Sequence, residues 1–303
     1  MARECLLHWL TIHSIGVALK LEMYFSYLLL CANACDGVDI SKARAAMRTV
    51  LPAILTALLL LMPSASRGEM IVRDYYPARH YRFYDGIGKD FVGQAYSFSG
   101  VGFSNSGRWG TLLTDNCFLS ANHRHPLVGE KLTFWSSNEL TGTSYTYTVT
   151  GGVRIATTDL WIGWFDKKAI VDHSIERYPV LLLPFLKRYL GLELYNYGMR
   201  HRVGRNVLEV IAPYSYGGST GITAGYDYGN NDTPSVGGDE TYLQVGDSGA
   251  PSFAVFHSRL SLIGIHWSIT RNPDSSLDTF VPEYFDEINK ILATRGQSLR
   301  RSR

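Results

Sequence analysis

The sequence predicts an all-β protein closed by one amphipathic helix. Three observations point there. The 303 residues include 19 Tyr, 13 Phe and 29 Gly, aromatic side chains that suit a pleated surface and a residue that supplies tight turns. After Arg67, short runs rich in β-branched and aromatic residues follow one another with Gly, Asn or Pro between them. Only the last run, Val281 to Gly296, has helical spacing.

Two apolar stretches precede this body. The first, Cys5 to Cys35, is interrupted by His8, His13, Lys20 and Glu22, and neither half reaches the roughly 20 apolar residues that a membrane span needs. The second has a basic flank at Lys42 and Arg44, an apolar run from Leu51 to Met62, and small residues Ser64 and Ser66, the three-part pattern of a secretory signal peptide. The expectation is an upstream extension over residues 1–46, initiation at Met47, a signal peptide over 47–66, and a secreted, periplasmic or extracellular product with no stable membrane span. An uncleaved N-terminal anchor is the alternative. Residues 67–90 are then an N-terminal extension or a propeptide.

Within the body, QAYSFSGVGF, RWGTLLTDNCFLSA, KLTFWSS, SYTYTVTGGVRI, DLWIGWF and YPVLLLP are strand-like. A short helical or irregular piece spans Phe185 to Leu190. Strands resume with LELYNYG, HRVGRNVLEVIAPYS, GITAGYDYG, TYLQV, APSFAVF and LSLIGIHWSI. Two successive β-barrels or one sandwich accommodate this succession. In the closing helix Val281, Tyr284, Phe285, Ile288 and Leu292 share one face, and Gly296 is its stop.

A net charge of +2 on a chain with one short basic tail offers no field for nucleic acid or an anionic membrane. Three of the four cysteines lie in the first 35 residues. Once the front is removed only Cys117 remains, so no intramolecular disulfide forms, and a buried, inert thiol is its expected state.

The strongest local signal is Gly246-Asp247-Ser248-Gly249-Ala250-Pro251 after the strand-like TYLQV. A serine becomes a nucleophile when its hydroxyl is held on an unusual turn beside a base and beside free N–H groups, and the flanking glycines allow that turn. Upstream stand Phe118-Leu119-Ser120-Ala121-Asn122-His123, preceded by Gly110-Thr111-Leu112-Leu113, and Thr158-Asp159-Leu160-Trp161-Ile162. These three patches, in this order, resemble the active-site segments of the chymotrypsin and trypsin-like serine peptidases. Ala250 departs from the usual glycine. Arg124 stands where the family has a disulfide cysteine, which looks more like disulfide-poor bacterial members.

The resemblance implies two successive six-stranded antiparallel barrels, about 91–184 and about 185–280, a C-terminal helix over about 281–295, and a basic tail at 297–303. It implies Ser248 as nucleophile, His123 as base and Asp159 as the carboxylate that orients it, with Asp166 and Asp172 as rivals. The N–H groups of Gly246 and Ser248 are the implied oxyanion hole. The implied substrate is a protein or peptide, and the resemblance calls for no cofactor. Tyr242, His266, Trp267 and Ser268 are the implied substrate pocket, with Trp267 matched across a one-residue gap. Tyr242 in place of an aspartate argues against cleavage after Arg or Lys unless Asp239 or Glu240 enters the pocket.

Phe91-Val92-Gly93-Gln94 loosely echoes the family's processed amino terminus, which pairs with the aspartate before the serine, here Asp247; the first barrel strand is the alternative reading of the same residues. No metal is expected. The His123 and His125 spacing has no matching Cys or His pair, and the oxygen-rich run 226–240 lacks EF-hand spacing for calcium. A protease-fold binding protein without turnover is the first alternative. A carbohydrate-active β domain is the second, although no opposed carboxylate pair is nominated.

Overall fold

Strand follows strand from residue 101 onward because the β-branched and aromatic runs are too short for helices and are punctuated by turn residues. The computed structural model describes residues 68–303 apart from 167–170, 230–234 and 272–273. The extension and signal peptide expected over 1–46 and 47–66 lie outside the described residues. The described residues belong to one compact unit.

In chain order, β1 (Ile71–Val72) and the single-turn helix α1 (Pro77–His80) lead into β2 (Val101–Ser104), β3 (Trp109–Leu112), β4 (Cys117–Ala121), β5 (Lys131–Trp135), β6 (Ser144–Thr148), β7 (Gly151–Arg154) and β8 (Leu160–Trp164). Next come β9 (Val180–Leu181), β10 (Glu193–Gly198), β11 (Arg202–Val207), β12 (Val210–Tyr216), β13 (Ser219–Asp227), β14 (Thr241–Tyr242), β15 (Pro251–Phe256), β16 (Arg259–Thr270) and β17 (Ser275–Phe280). A 3-10 turn (Val281–Tyr284), helix α2 (Phe285–Ala293) and β18 (Arg301–Ser302) end the chain.

The first sheet runs β6-β5-β2-β3-β4-β8-β7 and the core of the second runs β11-β10-β15-β16-β17-β13-β12. In each, the two outermost strands are consecutive in the chain and joined by only two residues. Val149 and Thr150 link β6 to β7, donating their N–H groups to Glu130 O and Trp164 O at opposite ends of the sheet. Leu208 and Glu209 do the same between β11 and β12, donating to Leu192 O and Gly225 O. Each linked pair is therefore one bent strand, and each sheet must curl until its edges meet. Counted so, both barrels have six strands in the same cyclic order, as expected. Gly152 and Gly163 make room inside the first barrel for the Trp161 ring, which a Cβ at either position would strike at 1.7 and 2.0 Å.

Three differences from expectation have simple causes. Val180–Leu181, placed by sequence in the first barrel, pairs with β16 of the second through Leu262. The basic tail at 297–303 contributes a two-residue strand, Arg301–Ser302, because β9 has an open edge and Val180 and Leu182 donate their N–H groups to Arg300 O and Ser302 O. The closing helix starts later, at Phe285, after the 3-10 turn that carries Pro282. Its expected face holds: Val281, Ile288 and Leu292 are buried, with Tyr284 and Phe285 packed against them.

The segment 68–90 is built into the body. Its β1 pairs with β14, and Met70, Val72, Ala78 and Phe83 are buried. Fully buried Arg82 donates to Trp135 O and Ser137 O beside the first barrel and to the Tyr197 hydroxyl in the second. Burial and the Arg82 charge push His201, beside that hydroxyl, down to about 3.

Asp239 accepts from Arg79 (2.7 Å), Arg205 (2.7 Å) and His80 (2.9 Å). Burial opposes its charge, yet these donors outweigh it and hold the carboxyl well below the usual range. A lowered carboxyl contributes stability that is complete above the unfolded value, about 3.9 for aspartate, and drains away as the pH falls below it. Asp239→Asn should therefore cost about 2 to 3 kcal/mol at neutral pH, read as a lower denaturation midpoint in urea. The deficit should narrow as the pH falls below about 4.

Candidate active site

Strand β4 is buried along its whole length and pairs with β8 in a register that sets Ala121 opposite Leu160. The residues just beyond these partners, His123 and Asp159, are thereby brought together at one barrel end. Asn122 N donates to Asp159 O at 2.8 Å. The carboxylate then takes two further bonds, from His123 N to Oδ1 at 3.0 Å and from ring Nδ1 to Oδ2 at 2.6 Å. Asp159 is buried at 1% exposure, whereas the His123 side chain is 40% exposed. Because Oδ2 can only accept, Nδ1 carries the hydrogen. In the neutral ring Nε2 is left with a lone pair, the tautomer a general base needs. The rival Asp172 is engaged with Ser174 instead, which lowers its pKa.

Ser248 stands on a turn that only glycine-flanked chain can make: Gly246 and Gly249 have φ of +123° and +89°. A Cβ at residue 249 would lie 2.7 Å from Ser120 Oγ and 3.2 Å from Ala121 N. The serine turn thus packs against the end of β4 that carries His123. Trp109 of the first barrel donates its indole N–H to Gly246 O at 3.2 Å. Beneath the turn, fully buried Asp247 accepts from Met199 N and Gln244 N, both at 2.6 Å. Burial raises its carboxyl to about 6, against the lowering effect of these donors. Among the described residues, the N–H groups of Gly246 and Ser248 have no acceptor within the chain.

Asp247 is the carboxylate that an amino terminus at Phe91 would have to reach. Its oxygens are already held by main-chain N–H groups. Phe91 itself is buried against Phe98, ring centroids 5.9 Å apart, and accepts Gln94 N–H at its carbonyl. Asp239 and Glu240, considered as pocket carboxylates, are also committed, the first to Arg79, Arg205 and His80 and the second to Arg73.

The four implied pocket residues fall into three surroundings. Tyr242 is nearly buried, stacked on Tyr228 at 5.8 Å with its hydroxyl donating to Thr270 O at 2.8 Å. Trp267 packs edge-on against Tyr214 at 5.2 Å, and Ser268 lies 3.4 Å from the Tyr214 hydroxyl. A β-bulge falls between His266 and Ser268, where the sequence match requires its one-residue gap. His266 is 1% exposed with both ring nitrogens turned inward, to Asp278 Oδ1 at 2.6 Å and Tyr197 O at 2.9 Å. It has no N–H left for a substrate. Asp278 and Met199 are the polar partners missed in the sequence. The only signal for Asp278 is a carboxylate within the strand Ser275–Phe280.

His125 stacks flat on Trp161, centroids 4.1 Å apart, while His123 faces Asp159, so the two rings share no point for a metal. Among the described residues no group of three or more His, Cys, Asp or Glu side chains is placed to hold a metal ion. In the run 226–240, residues 230–234 lie outside the described residues. Cys117 is free and buried, and burial raises its thiol pKa. No described helix is long and apolar enough to cross a membrane.

No family model matches the sequence, and no curated protein does. Solved structures similar to it include human heparin binding protein (13% identity, TM-score 0.48, 65% of this chain and 92% of that one). The MamO protease domain of Magnetospirillum magneticum is another (12%, 0.42, 66% and 97%). A third is the NS6 protease of murine norovirus 1 (18%, 0.39, 60% and 89%). Likenesses this distant add nothing to what the side chains say about chemistry.

Gly249→Ala should cost about 2 kcal/mol, since the new methyl meets Ser120 and Ala121 and the backbone sits where L-residues are strained. Thermal denaturation would read it as a fall in Tm.

Proposed function

We propose that this chain is a secreted serine endopeptidase that hydrolyses peptide bonds through Ser248, His123 and Asp159. The observation that carries the reading is the grip of buried Asp159 on His123 Nδ1 at 2.6 Å, beside a Gly-Asp-Ser-Gly turn with two unclaimed N–H groups. Ser248 Oγ attacks the scissile carbonyl carbon as His123 Nε2 takes its proton, and the carbonyl oxygen becomes an oxyanion against the N–H groups of Gly246 and Ser248. His123 gives that proton to the leaving amine, the C–N bond breaks and an acyl-serine remains. Water, deprotonated by His123, attacks the ester. The proton then returns to Ser248 as the acid product leaves.

Secretion rests on the three-part pattern at 47–66, and the disulfide-free, bacterial-type assignment on Cys117 being the sole cysteine after residue 66. Tyr242 and Trp267, both nearly buried, argue for a shallow primary pocket. The half-exposed His123 favours turnover over a binding protein with a closed cleft.

Casein hydrolysis by the mature protein should fall by at least about a thousandfold in Ser248→Ala, with loss of fluorophosphonate labelling. Turnover that survives this change would refute the nucleophile. Asp159→Asn lets the ring adopt the wrong tautomer and should lower kcat by roughly ten thousandfold. Steady-state kinetics against a peptide ester would show this.

A further inference from the structure

Directly beneath the serine turn lies another histidine–aspartate pair that no step of hydrolysis uses. His266 Nδ1 faces Asp278 Oδ1 at 2.6 Å and Nε2 faces Tyr197 O at 2.9 Å. Both partners are acceptors. A carbonyl has no hydrogen, and the Asp278 oxygens already receive the Tyr226 hydroxyl at 3.3 Å and the Ser252 hydroxyl. A neutral imidazole has one N–H and would leave a lone pair against an oxygen in the protein interior. Only the imidazolium serves both neighbours. Burial opposes that charge, but Asp278, Asp247 and the Tyr197 carbonyl outweigh it, and the pKa of His266 is raised.

The backbone of the same residue is paired to the chain just after the nucleophile: Gly249 N donates to His266 O at 3.0 Å, and His266 N to Ala250 O at 2.9 Å. Its ring holds Tyr197, two residues before Met199, whose N–H grips Asp247 between the two oxyanion donors. His266 therefore links the chain just after the nucleophile to the strand end that leads to Met199, one of the two donors on Asp247.

We propose that His266, charged and paired with Asp278, is a positioning residue that holds the Gly246–Ser248 turn in the shape that binds the oxyanion. The proposal rests on the serine peptidase reading. Loss of the extra proton leaves an interior oxygen facing a lone pair and slackens the end of β10 and with it the clamp. Turnover then falls as the pH rises through the raised pKa of His266. The groups facing the ring are Asp278 from β17, with Tyr226 of β13 behind it, the Tyr197 carbonyl from β10, and Asp247, which is itself influenced by Arg202 of β11. Asp247 titrates in the opposite sense, ionising as the pH rises, so it contributes no alkaline loss.

The test measures kcat and KM of the mature protein on a peptide ester across the pH range, with Asp278→Asn and His266→Gln beside wild type. Removing the carboxylate should shift the alkaline limb to lower pH by on the order of one unit or more. His266→Gln should abolish that limb and lower kcat by roughly tenfold to a hundredfold at little change in KM. Ring 15N resonances missing from His266→Gln should show two N–H groups below the limb and one above it, a readout that stands if Asp278→Asn does not fold. An alkaline limb unmoved in a folded Asp278→Asn, or a His266 ring with a single N–H at pH 6, overturns the proposal while an active wild type upholds the peptidase. A wild type that neither turns over nor labels overturns the peptidase instead. Unchanged amide exchange at Gly246 and Ser248 in His266→Gln would then overturn the positioning role as well.

Discussion

The proposed site draws on both barrels and needs them held together, and they share one apolar core. Trp109, Leu119, Ala121 and Ile162 from the first barrel pack in the same cluster as Tyr197, Phe253 and Ile265 from the second, closed by Val281, Ile288 and Leu292. Trp109 is the central member: it has no exposed surface, meets the Tyr197 ring edge-on at 5.4 Å, and carries the Gly246 carbonyl on its indole N–H. Burying a tryptophan across a seam contributes several kcal/mol of the kind lost in large-to-small core substitutions. Its single polar atom ties the serine turn of the second barrel to the first barrel.

The buried charges follow the same logic of enforced position. An ionised side chain in the interior is costly unless each lone pair or proton is met. Asp159 meets a main-chain N–H and an imidazole, Asp247 two main-chain N–H groups, and Arg82 four oxygen acceptors, the fourth being Asn138 Oδ1. Each therefore specifies a backbone arrangement more than it adds net stability. Arg82 and Asp239 extend this to the segment 68–90, which lies across both barrels and ties the start of the body to the loops around the second.

Much of the fold and of the candidate site is legible along the chain. The strand succession, the face of α2 and the Gly-Asp-Ser-Gly turn all depend on neighbours within a few residues, where periodicity and glycine placement act directly. Asp159 also stood out locally, as the acid that opens an apolar strand. Illegible were the partners that come from far away: Asp278 for His266, Met199 for Asp247, and the oxygens that receive Arg82. The bent strands at Val149–Thr150 and Leu208–Glu209 look like ordinary runs in sequence, because a bend shared between two neighbours appears only once both neighbours are in place.

The sequence by itself determined the all-β class and the closing helix, since both follow from residue type and short-range spacing, and the resemblance of three patches to serine peptidase segments nominated the side chains proposed for acyl transfer. The tertiary structure alone decided that 68–90 is part of the body, that residues 300–302 complete a sheet edge, and that His266 points inward rather than to a substrate. Those outcomes depend on which donor meets which acceptor once water is excluded, and that pairing is a property of the packed interior, not of any stretch of chain.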